Sequence, residues 1–339
     1  MESVVIFGGT GFIGTFFAKL LLQNNQIKKI YIYDIEPLAD KKNKLFNNRL
    51  IQDSRLTFIE GDVRNSISWL PPEKISLIAN FAAVHREPGH DAYEYYETNL
   101  LGAENICAWA ESVDCQNIIF TSSISPYGPS EEERTEKSLP SPTTAYGSSK
   151  LAAEKIHQIW QAKDHSKRNL VITRPGVVFG PSEGGNVSRL IQAVIHRYFF
   201  YMGNENTRKA GTYVKELCNA MLWVLEHQKR EGKQVSIFNM SMNPGPSIKE
   251  YADTICKVAK IRRSFLRVPY RVLLAVAFTI DIVARPLGIN HPFSPVRIRK
   301  LTKSNNILPG YLVENGYVYQ YDLEGALNDW KKDCPEEWT

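Results

Sequence analysis

Tyr146 and Lys150 stand four residues apart in Tyr146-Gly-Ser-Ser-Lys150, at the start of a segment with a helical pattern. A spacing of four places a phenol and an ammonium on one face of a helix, one turn apart. Free tyrosine has a pKa of about 10, so it acts as a base near neutral pH only beside a positive charge, which Lys150 can supply. The pair predicts a general base; the alternative is that Tyr146 packs as an ordinary helix residue.

A hydroxyl-rich stretch, Thr121-Ser-Ser123, follows the apolar run Ile118–Phe120 and precedes Tyr127-Gly128. If that run is a strand of a parallel sheet, Ser123 lies at the carboxyl end of the sheet, where ligands of α/β folds bind. Ser123 is therefore the third candidate for the chemistry. Its alternative role is to cap a helix.

The loop Gly8-Gly-Thr-Gly-Phe-Ile-Gly14 joins the apolar run Val4–Phe7 to a helical pattern. Its glycines allow a tight turn and a close approach of the backbone to a pyrophosphate. The N-terminus of the following helix supplies N–H groups and a positive dipole end. The loop therefore predicts a dinucleotide site.

Two carboxylates end the next two apolar runs. Asp34, 20 residues after Gly14, can accept both ribose hydroxyls of adenosine and would repel a 2′-phosphate, which favours NAD over NADP. Asp62, in Gly61-Asp-Val63, is placed to meet the adenine amino group. The alternatives are that Asp34 is a turn residue and that Asp62 caps a helix.

Strands and helices alternate through the first half of the chain. Six short apolar runs predict strands: Val4–Phe7, Ile30–Tyr33, Leu56–Ile59, Leu77–Ile78, Ile118–Phe120 and Leu170–Thr173. Longer mixed segments predict helices: Thr15–Gln23, Tyr93–Glu111 and Ala145–Lys163. Uniformly apolar strands indicate a parallel sheet covered on both faces.

This rhythm predicts an α/β fold, a Rossmann-type doubly wound parallel sheet with a smaller C-terminal substrate-binding lobe. We expect a dinucleotide-binding domain over 1–180 and a lobe over 181–339, with segments at about 208–240 returning to the first domain. The acidic stretch Ser130–Glu136 has the composition of a surface loop.

Composition places the 339-residue chain among ordinary globular proteins. Its five cysteines are scattered, without a CxxC pair, which argues against a disulfide framework or a zinc site and for a reducing compartment. The first apolar run starts too early for a signal peptide. We therefore expect a cytoplasmic protein without a metal.

Residues 260–303 carry ten Lys/Arg and one acid, Asp281, around the apolar run Val272–Ala284. At 13 residues this run is shorter than the ~20 that span a bilayer. No nucleic-acid-binding motif accompanies the charges, so nucleic acid is not expected as a partner. The segment is either a buried helix with snorkelling arginines or a peripheral contact with the inner face of a membrane.

Together these motifs resemble those of the extended short-chain dehydrogenase/reductases, in the NAD-dependent sugar epimerase/dehydratase group. The resemblance rests on motifs in family order: Gly8–Gly14, Gly61-Asp62, Asn80-Phe-Ala-Ala83, Asn99, Thr121–Gly128, Tyr146–Lys150 and Arg174-Pro-Gly-Val-Val-Phe-Gly-Pro181. It is close over the first 180 residues and loose thereafter. It implies NAD as the cofactor and a homodimer.

The resemblance implies a role for each matching position. Tyr146 is expected to be the acid/base, Lys150 to hold the nicotinamide ribose and lower the tyrosine pKa, and Ser123 to bond the reacting hydroxyl. Asn99 is expected to brace the active-site helix. With the glycine loop, the expected cofactor-binding residues are Gly8, Thr10, Gly11, Phe12, Ile13, Gly14, Asp34, Asp62, Val63, Phe81, Ala82, Ala83, Asn99, Tyr146, Lys150, Pro175, Val177 and Val178.

Within this family the common step forms a ketone at the sugar C4. Dehydratases carry an Asp-Glu pair just after the catalytic Ser/Thr, and this chain has Ile124-Ser125 instead, which disfavours elimination. A 4-epimerase of a nucleotide-activated hexose or N-acetylhexosamine, in surface polysaccharide precursor synthesis, is the favoured activity. A 4-ketoreductase of a nucleotide 4-keto-6-deoxy sugar uses the same three residues.

Departures from the family pattern concern the substrate carrier. Val177 stands where many relatives have an asparagine that helps to hold the diphosphate, and Lys209 stands where an arginine is usual. The missing asparagine, the motif Gly184-Gly-Asn-Val187 and the basic, apolar segment from Pro269-Tyr270 to Phe293-Ser294 also resemble epimerases of polyprenyl-diphosphate-linked N-acetylhexosamine. The expected substrate-binding residues are His85, Ser123, Ser125, Tyr146, Asn186, Arg189 and Lys209.

Three alternatives remain open at this level. The chain could be a non-catalytic dinucleotide sensor, although such proteins typically lose the tyrosine or the lysine. It could be a 3β-hydroxysteroid-type dehydrogenase, against which a polar pocket near Arg189 and Lys209 would count. His85 either faces the sugar or diphosphate or is a structural hydrogen-bonding residue.

Overall fold

The computed structural model describes residues 2–38, 52–87, 89–284 and 304–339, and it is built on parallel β-pairing. The strands are, in chain order, β1 (Ser3–Phe7), β2 (Lys29–Asp34), β3 (Leu56–Glu60), β4 (Leu77–Asn80), β5 (Asn117–Thr121), β6 (Ser130–Arg134), β7 (Asn169–Pro175), β8 (Val177–Phe179), β9 (Tyr201–Met202), β10 (Gly211–Tyr213), β11 (Val235–Met240), β12 (Arg267–Val268) and β13 (Asn305–Ile307). Seven of them form one sheet in the order β11-β7-β5-β4-β1-β2-β3.

Helices connect the strands and cover the sheet. They are α1 (Phe12–Leu22), α2 (Ala92–Tyr96), α3 (Gly102–Ser112), α4 (Ala145–Ala162), α5 (Asn186–Ile195), α6 (Val214–Arg230), α7 (Ile248–Ala259), α8 (Tyr270–Ala284), α9 (Gly310–Glu314) and α10 (Leu323–Asp333). A π-helical turn, Glu97–Leu101, links α2 to α3. It divides the segment predicted as one helix.

The central strands are apolar on both faces because both faces are covered. In β1, Val4 and Ile6 belong to one buried cluster, and Val5 and Phe7 belong to another on the opposite face. All pairings within the seven-stranded sheet are parallel. The predicted α/β fold with a Rossmann-type parallel sheet is thus confirmed.

The order of the strands reverses at β1. From β1 the chain proceeds through β2 and β3 to one edge, and β4 and β5 lie on the other side of β1. A crevice opens at such a switch point beyond the carboxyl ends of the strands, and ligands of doubly wound folds bind there. The loops after β1, β4 and β5 all begin at this edge.

The second half of the chain is tied to the sheet by short strands. Strand β11, which forms one edge of the seven-stranded sheet, lies in the segment expected to return to the first domain, and it pairs with β7. Two further parallel pairs lie outside this sheet in the second half of the chain: β8 pairs with β10, and β9 pairs with β12.

One local prediction is wrong. The stretch Ser130–Glu136, expected to be a surface loop, contains β6, which pairs in parallel with β13. The acidic composition of this stretch predicted a loop. The strand that pairs with it, β13, is distant in sequence, so local composition could not indicate the pairing. Pairing with a remote segment overrides local propensity here.

Candidate active site

The glycine loop lies directly against the loop that follows β4. Gly8 has φ 72°, and a Cβ atom at this position would lie 2.6 Å from the backbone nitrogen of Ala82. Only glycine suits such a left-handed, closely packed position. Gly11 is the N-cap of α1, and as glycine it places no side chain in front of the first N–H groups of the helix. The loop therefore fits a dinucleotide pyrophosphate at a helix N-terminus.

Asp34 ends β2 beside this loop. Its Oδ2 atom accepts a hydrogen bond from the Thr10 backbone N–H at 3.0 Å, and its Oδ1 atom accepts one from Glu36 N–H at 3.3 Å. The carboxylate thus belongs to a turn and also adjoins the glycine loop. The second placement suits the expected adenosine ribose contact.

Asp62 makes a local ion pair. Arg64, two residues later, donates from Nη2 to the Oδ2 atom of Asp62 at 2.6 Å. This hydrogen bond holds the pKa of the Asp62 carboxyl below its usual value. Val63 is buried, and its carbonyl accepts from Asn105 Nδ2 at 2.8 Å. The Asp62 carboxylate is thus engaged by Arg64, and its contact with adenine stays a prediction.

The other predicted cofactor residues line the same edge of the sheet. Phe12 and Ile13 begin α1, and Pro175 ends β7, with its carbonyl accepting from Ile124 N–H at 3.1 Å. Partly buried positions at this edge are Phe12, Ile13, Phe81, Ala82, Ala83, Val177 and Val178, whereas Gly14 and Pro175 are buried.

Ser123, Ser125 and Tyr146 meet beyond the end of β5. The Ser123 hydroxyl donates to Ser125 Oγ at 3.1 Å and accepts from Ser125 N–H at 3.1 Å. The Ser123 side chain lowers the pKa of Tyr146, so the phenol lies close to that hydroxyl. Helix α4 comes this close because of Gly147, where a Cβ atom would lie 2.7 Å from the Ser125 carbonyl oxygen. The structure therefore unites the two hydroxyls and the phenol.

Burial, more than charge, sets the protonation of Tyr146 in the protein alone. Desolvation raises the pKa of Tyr146 to about 12, while the Ser123 hydrogen bond lowers it and Glu87 raises it. Lys150 is 2% exposed, and burial lowers its pKa to about 7. Lys150 was expected to lower the pKa of Tyr146. In the protein without cofactor that pKa is instead raised, because burial favours the neutral form of both groups.

Asn99 connects the loop after β4 to the catalytic helix. Its Oδ1 atom accepts from Val84 N–H at 3.0 Å, and its Nδ2 atom donates to Ser149 Oγ at 2.9 Å. The Ser149 hydroxyl in turn donates to the Tyr146 carbonyl at 2.9 Å. The π-helical turn places Asn99 to make these bonds, which hold the first turn of α4.

A buried ion pair next to this site was missed at the level of sequence. Arg174 on β7 donates from Nη2 to Glu154 Oε2 at 2.6 Å, and both side chains are almost fully buried. Glu154 lies four residues after Lys150 on α4, and that spacing was the available signal. A glutamate is almost never fully buried unless it is paired, so the partner of Glu154 had to come from the fold.

The predicted substrate residues lie in more exposed positions. His85 is exposed on the loop after β4, and Asn186 and Arg189 are exposed in the first turn of α5. At that helix N-terminus Glu183 already accepts from Ser188 N–H at 2.9 Å. A diphosphate held by Asn186 and Arg189 would therefore lie beside the helix end and not on it.

Lys209 lies just before β10 and is half-buried. Its backbone N–H donates to the Pro246 carbonyl at 2.9 Å. Burial lowers the pKa of Lys209 to about 8, and Glu131 raises it. A partly desolvated ammonium of this kind suits an anionic group of a substrate.

Helix α8 lies at the surface, not in the core. Leu273 packs on its inner side, whereas Val272 and Phe278 are about half exposed. The interpretation of 272–284 as a buried helix is therefore wrong for these side chains. Residues 285–303, including Phe293 and Ser294, lie outside the described residues.

Over the ranges that the structure describes, no helix is long and apolar enough to cross a membrane. Within those same ranges, no group of His, Cys, Asp and Glu side chains is arranged to hold a metal ion.

A parallel sheet with a glycine loop at its switch point and a Ser, Tyr and Lys set at the same edge defines a dinucleotide-dependent enzyme of the short-chain dehydrogenase/reductase class. Residues 4–240 match the NAD dependent epimerase/dehydratase family, and the chain belongs to it. The match confirms the predicted family, the NAD cofactor and an NAD-dependent enzyme.

Three known proteins are similar to this chain. The chain is 25% identical to an N-acetyl-alpha-D-glucosaminyl-diphospho-ditrans,octacis-undecaprenol 4-epimerase of Escherichia coli O157:H7, over 96% of this chain and 93% of that protein. It is 23% identical to a decarboxylating sterol-4-alpha-carboxylate 3-dehydrogenase of Candida albicans, over 97% of each. The crystal structure of the UDP-glucuronic acid 4-epimerase from Bacillus cereus with NAD has a similar fold, with a TM-score of 0.75, 18% identity and full coverage of both chains.

Proposed function

We propose that the protein is an NAD-dependent epimerase that inverts C4 of a diphosphate-linked hexose or N-acetylhexosamine through a transient 4-keto sugar. The observation that carries the proposal is the approach of Tyr146 to Ser123, with the buried Lys150 one helical turn after Tyr146, at the edge that holds the glycine loop. Bound NAD would accept a hydride from C4 of the sugar and supply it again to the opposite face of the keto sugar.

The residues of the chain account for the proton chemistry. Beside the Lys150 ammonium and the positive nicotinamide ring of bound NAD, Tyr146 would take the proton of the C4 hydroxyl as the ketone forms and give it back as the new alcohol forms. Ser123 hydrogen-bonds the same oxygen in both steps. A general acid/base in this position typically contributes about 10²–10⁴-fold in rate.

Position 125 supports epimerisation over dehydration. Removal of water across C5 and C6 needs an acid and a base beside the keto sugar. Ser125, whose hydroxyl is bonded to Ser123 at 3.1 Å, is neither. Elimination is therefore disfavoured, which leaves return of the hydride to the other face of the keto sugar as the step that we propose.

For the carrier, the nucleotide and the polyprenyl diphosphate are the two forms to compare. Many family members with solved structures bind UDP-sugars, such as the UDP-N-acetylglucosamine 4-epimerase from Methanobrevibacter ruminantium, with a TM-score of 0.75, 18% identity and 99% coverage of both chains. The relative from Escherichia coli O157:H7 acts on a polyprenyl-linked sugar and matches nearly the whole chain. Val177 and the exposed apolar face of α8 favour the polyprenyl carrier.

The experiment offers UDP-N-acetylglucosamine and a short-chain polyprenyl-diphospho-N-acetylglucosamine to the protein with catalytic NAD, and proton NMR follows C4. Appearance of the C4 epimer without net NADH supports the proposal and identifies the carrier. Stoichiometric consumption of NADH with a 4-keto-6-deoxy sugar would instead indicate a ketoreductase. Oxidation of a 3β-hydroxysterol with formation of one NADH per sterol, in a reaction supplied with equimolar NAD, would indicate the dehydrogenase.

A lipid carrier implies contact with a membrane surface. We propose that Arg262 and Arg271, both exposed, bind anionic headgroups while Leu266, 78% exposed, and Phe278 enter the interface. Co-flotation with vesicles containing phosphatidylglycerol tests this. The variant Arg262→Glu/Arg271→Glu should lose flotation, and Lys155→Glu on α4 should retain it; equal flotation of all three would count against the contact.

We also propose a homodimer. Four exposed apolar side chains lie along α2, the π-helical turn and α4: Tyr93, Tyr96, Leu101 and Ile159. Adjacent apolar side chains on two helices suit a second copy of the same surface. Light scattering should give a dimer mass for the native protein and a monomer mass for Ile159→Glu; a native monomer would refute the proposal.

A further inference from the structure

Lys150 depends on its neighbours for its charge. It is 2% exposed, and its Nζ atom lies 4.6 Å from the centroid of the Phe120 ring. Burial lowers the pKa of Lys150 to about 7, and Glu154 acts in the opposite direction. Near neutral pH the ammonium is therefore sensitive to any change in the charges around it.

The Glu154 carboxyl group is held from two sides by hydrogen bonds. Its Oε1 atom accepts from Arg174 Nε at 2.8 Å and from Ser122 Oγ at 2.5 Å. Its Oε2 atom accepts from Arg174 Nη2 at 2.6 Å. Bidentate bonding to a guanidinium fixes the position of a carboxylate and favours its charged form.

The same network reaches the loop that carries Ser123. Arg174 Nη1 donates to the Tyr127 hydroxyl at 2.7 Å, and that hydroxyl donates to Asn239 Oδ1 at 2.9 Å. Ser122 and Tyr127 lie on either side of Ser123 in the chain. One buried network thus joins the serine loop to the helix of Tyr146.

We propose that Glu154 is a positioning residue for catalysis: locked by Arg174 and Ser122, it keeps Lys150 in its cationic form and holds helix α4 against the loop of Ser123. The use of that cation rests on the proposed function, whereas the coupling of Glu154 to Lys150 does not. Loss of Glu154 should therefore change Lys150 even in the protein without NAD or sugar.

Other ionisable groups around Lys150 come from three elements. Tyr146 and His157 lie on α4 itself, and His85 lies on the loop after β4. His157 is fully buried and neutral, because desolvation lowers its pKa to about 4. Arg174, on β7, faces Glu154. Glu154 is the one group among them that favours the ammonium through its negative charge.

The test is an NMR titration of the ligand-free protein with ¹³C,¹⁵N-labelled lysine, in which Lys150→Met identifies the Lys150 signal. In Glu154→Gln the titration midpoint of Lys150 should fall by at least about one pH unit, as expected for loss of a close opposite charge. Glu216→Gln is the matched control. Its carboxylate is also buried but accepts bonds from Tyr317, Gln320 and Tyr321, so the midpoint should not move.

A second variant keeps the test possible if Glu154→Gln fails to fold. Removing one partner of a buried ion pair leaves an unpaired charge, whereas Glu154→Gln/Arg174→Met removes both charges. The Lys150 midpoint should fall in this variant too. An unchanged midpoint in whichever variants fold would overturn the proposal. Because the titration needs neither cofactor nor substrate, a failure of the epimerase proposal would leave this result standing on its own.

Discussion

Two regions of the molecule treat charge in opposite ways. Around the catalytic helix, Glu154 and Arg174 are buried and bonded to each other and to hydroxyl groups. At the first turn of α5, Asn186 and Arg189 are exposed. The difference indicates that the catalytic groups are organised before any ligand arrives. We propose that Asn186 and Arg189 contact the substrate carrier, and their exposure means that these contacts form only when the substrate binds.

Lys209 lies between these extremes. It is half-buried, and its pKa is lowered to about 8 by desolvation. Preorganised groups that interact more strongly with the transition state raise kcat, whereas groups that bind the carrier equally in both states lower KM. Variants in the two regions should therefore separate into effects on kcat and effects on KM.

The largest effect is expected from Tyr146→Phe. Removing the phenolic hydroxyl deletes the acid/base, and epimerisation should fall by about 10²–10⁴-fold. NAD affinity, measured by fluorescence titration, should change little because the glycine loop is untouched. Tyr95→Phe, on a ring 5.9 Å from that of Tyr146, is the control and should keep most activity. Unchanged turnover of Tyr146→Phe would break the assignment.

Gly8→Ala should damage the cofactor loop. The φ of 72° and the 2.6 Å approach to Ala82 leave no room for a methyl group. The strain should cost about 1–3 kcal/mol of unfolding free energy in urea and weaken NAD binding. Gly232→Ala is the matched control, since that glycine also has a positive φ, of 65°, but has open space around it. Equal NAD affinity in both variants would contradict the role of Gly8.

Tyr127→Phe should weaken the buried network without removing the ion pair. Arg174 Nη1 and Asn239 Oδ1 each lose a hydrogen-bond partner, which should lower the unfolding free energy by about 1–3 kcal/mol. Urea denaturation measures this loss. Tyr198→Phe, at a largely exposed tyrosine, should fall within about 0.5 kcal/mol of the native protein. Similar stability of the two variants would show that the network contributes little.

The pH dependence of the unfolding free energy should also depend on the buried Lys150. Because the folded-state pKa of Lys150 is lowered to about 7, the unfolded chain binds more protons between that pH and the normal lysine range. Unfolding free energy contributed by this group therefore rises with pH above 7. Lys150→Met should flatten the rise between pH 7 and 9 in urea unfolding, and Lys155→Met, at an exposed lysine, should keep it. A steep rise in Lys150→Met would place the titrating group elsewhere.

The smallest effect is expected from Arg189→Gln in the exposed region. An exposed ion pair is worth up to about 1 kcal/mol, so KM for the diphosphate substrate should rise by at most about fivefold, with kcat and stability unchanged. Steady-state kinetics at two salt concentrations measures this. Lys167→Gln, at another exposed cation, should leave KM unaltered. A fall in kcat for Arg189→Gln would mean that the two regions are not separable.

Much of the architecture could be predicted because it depends on local patterns. The six predicted strands are all present, since runs of apolar, β-branched residues such as Ile118–Phe120 suit a strand buried on both faces. Tyr146 and Lys150 share a helix because a four-residue spacing fixes their relative position. The strand β6 could not be predicted, because its partner β13 lies 171 residues or more further along the chain.

The amino-acid sequence by itself determined the parallel-sheet fold, the glycine loop and the residue types of the catalytic set, because periodicity and short spacings specify them. Tertiary structure alone decided which charges are buried. It brought Arg174 of β7 to Glu154 of α4, and it raised the pKa of Tyr146 and lowered that of Lys150. Desolvation depends on everything packed around a group, and only the folded chain supplies that surrounding.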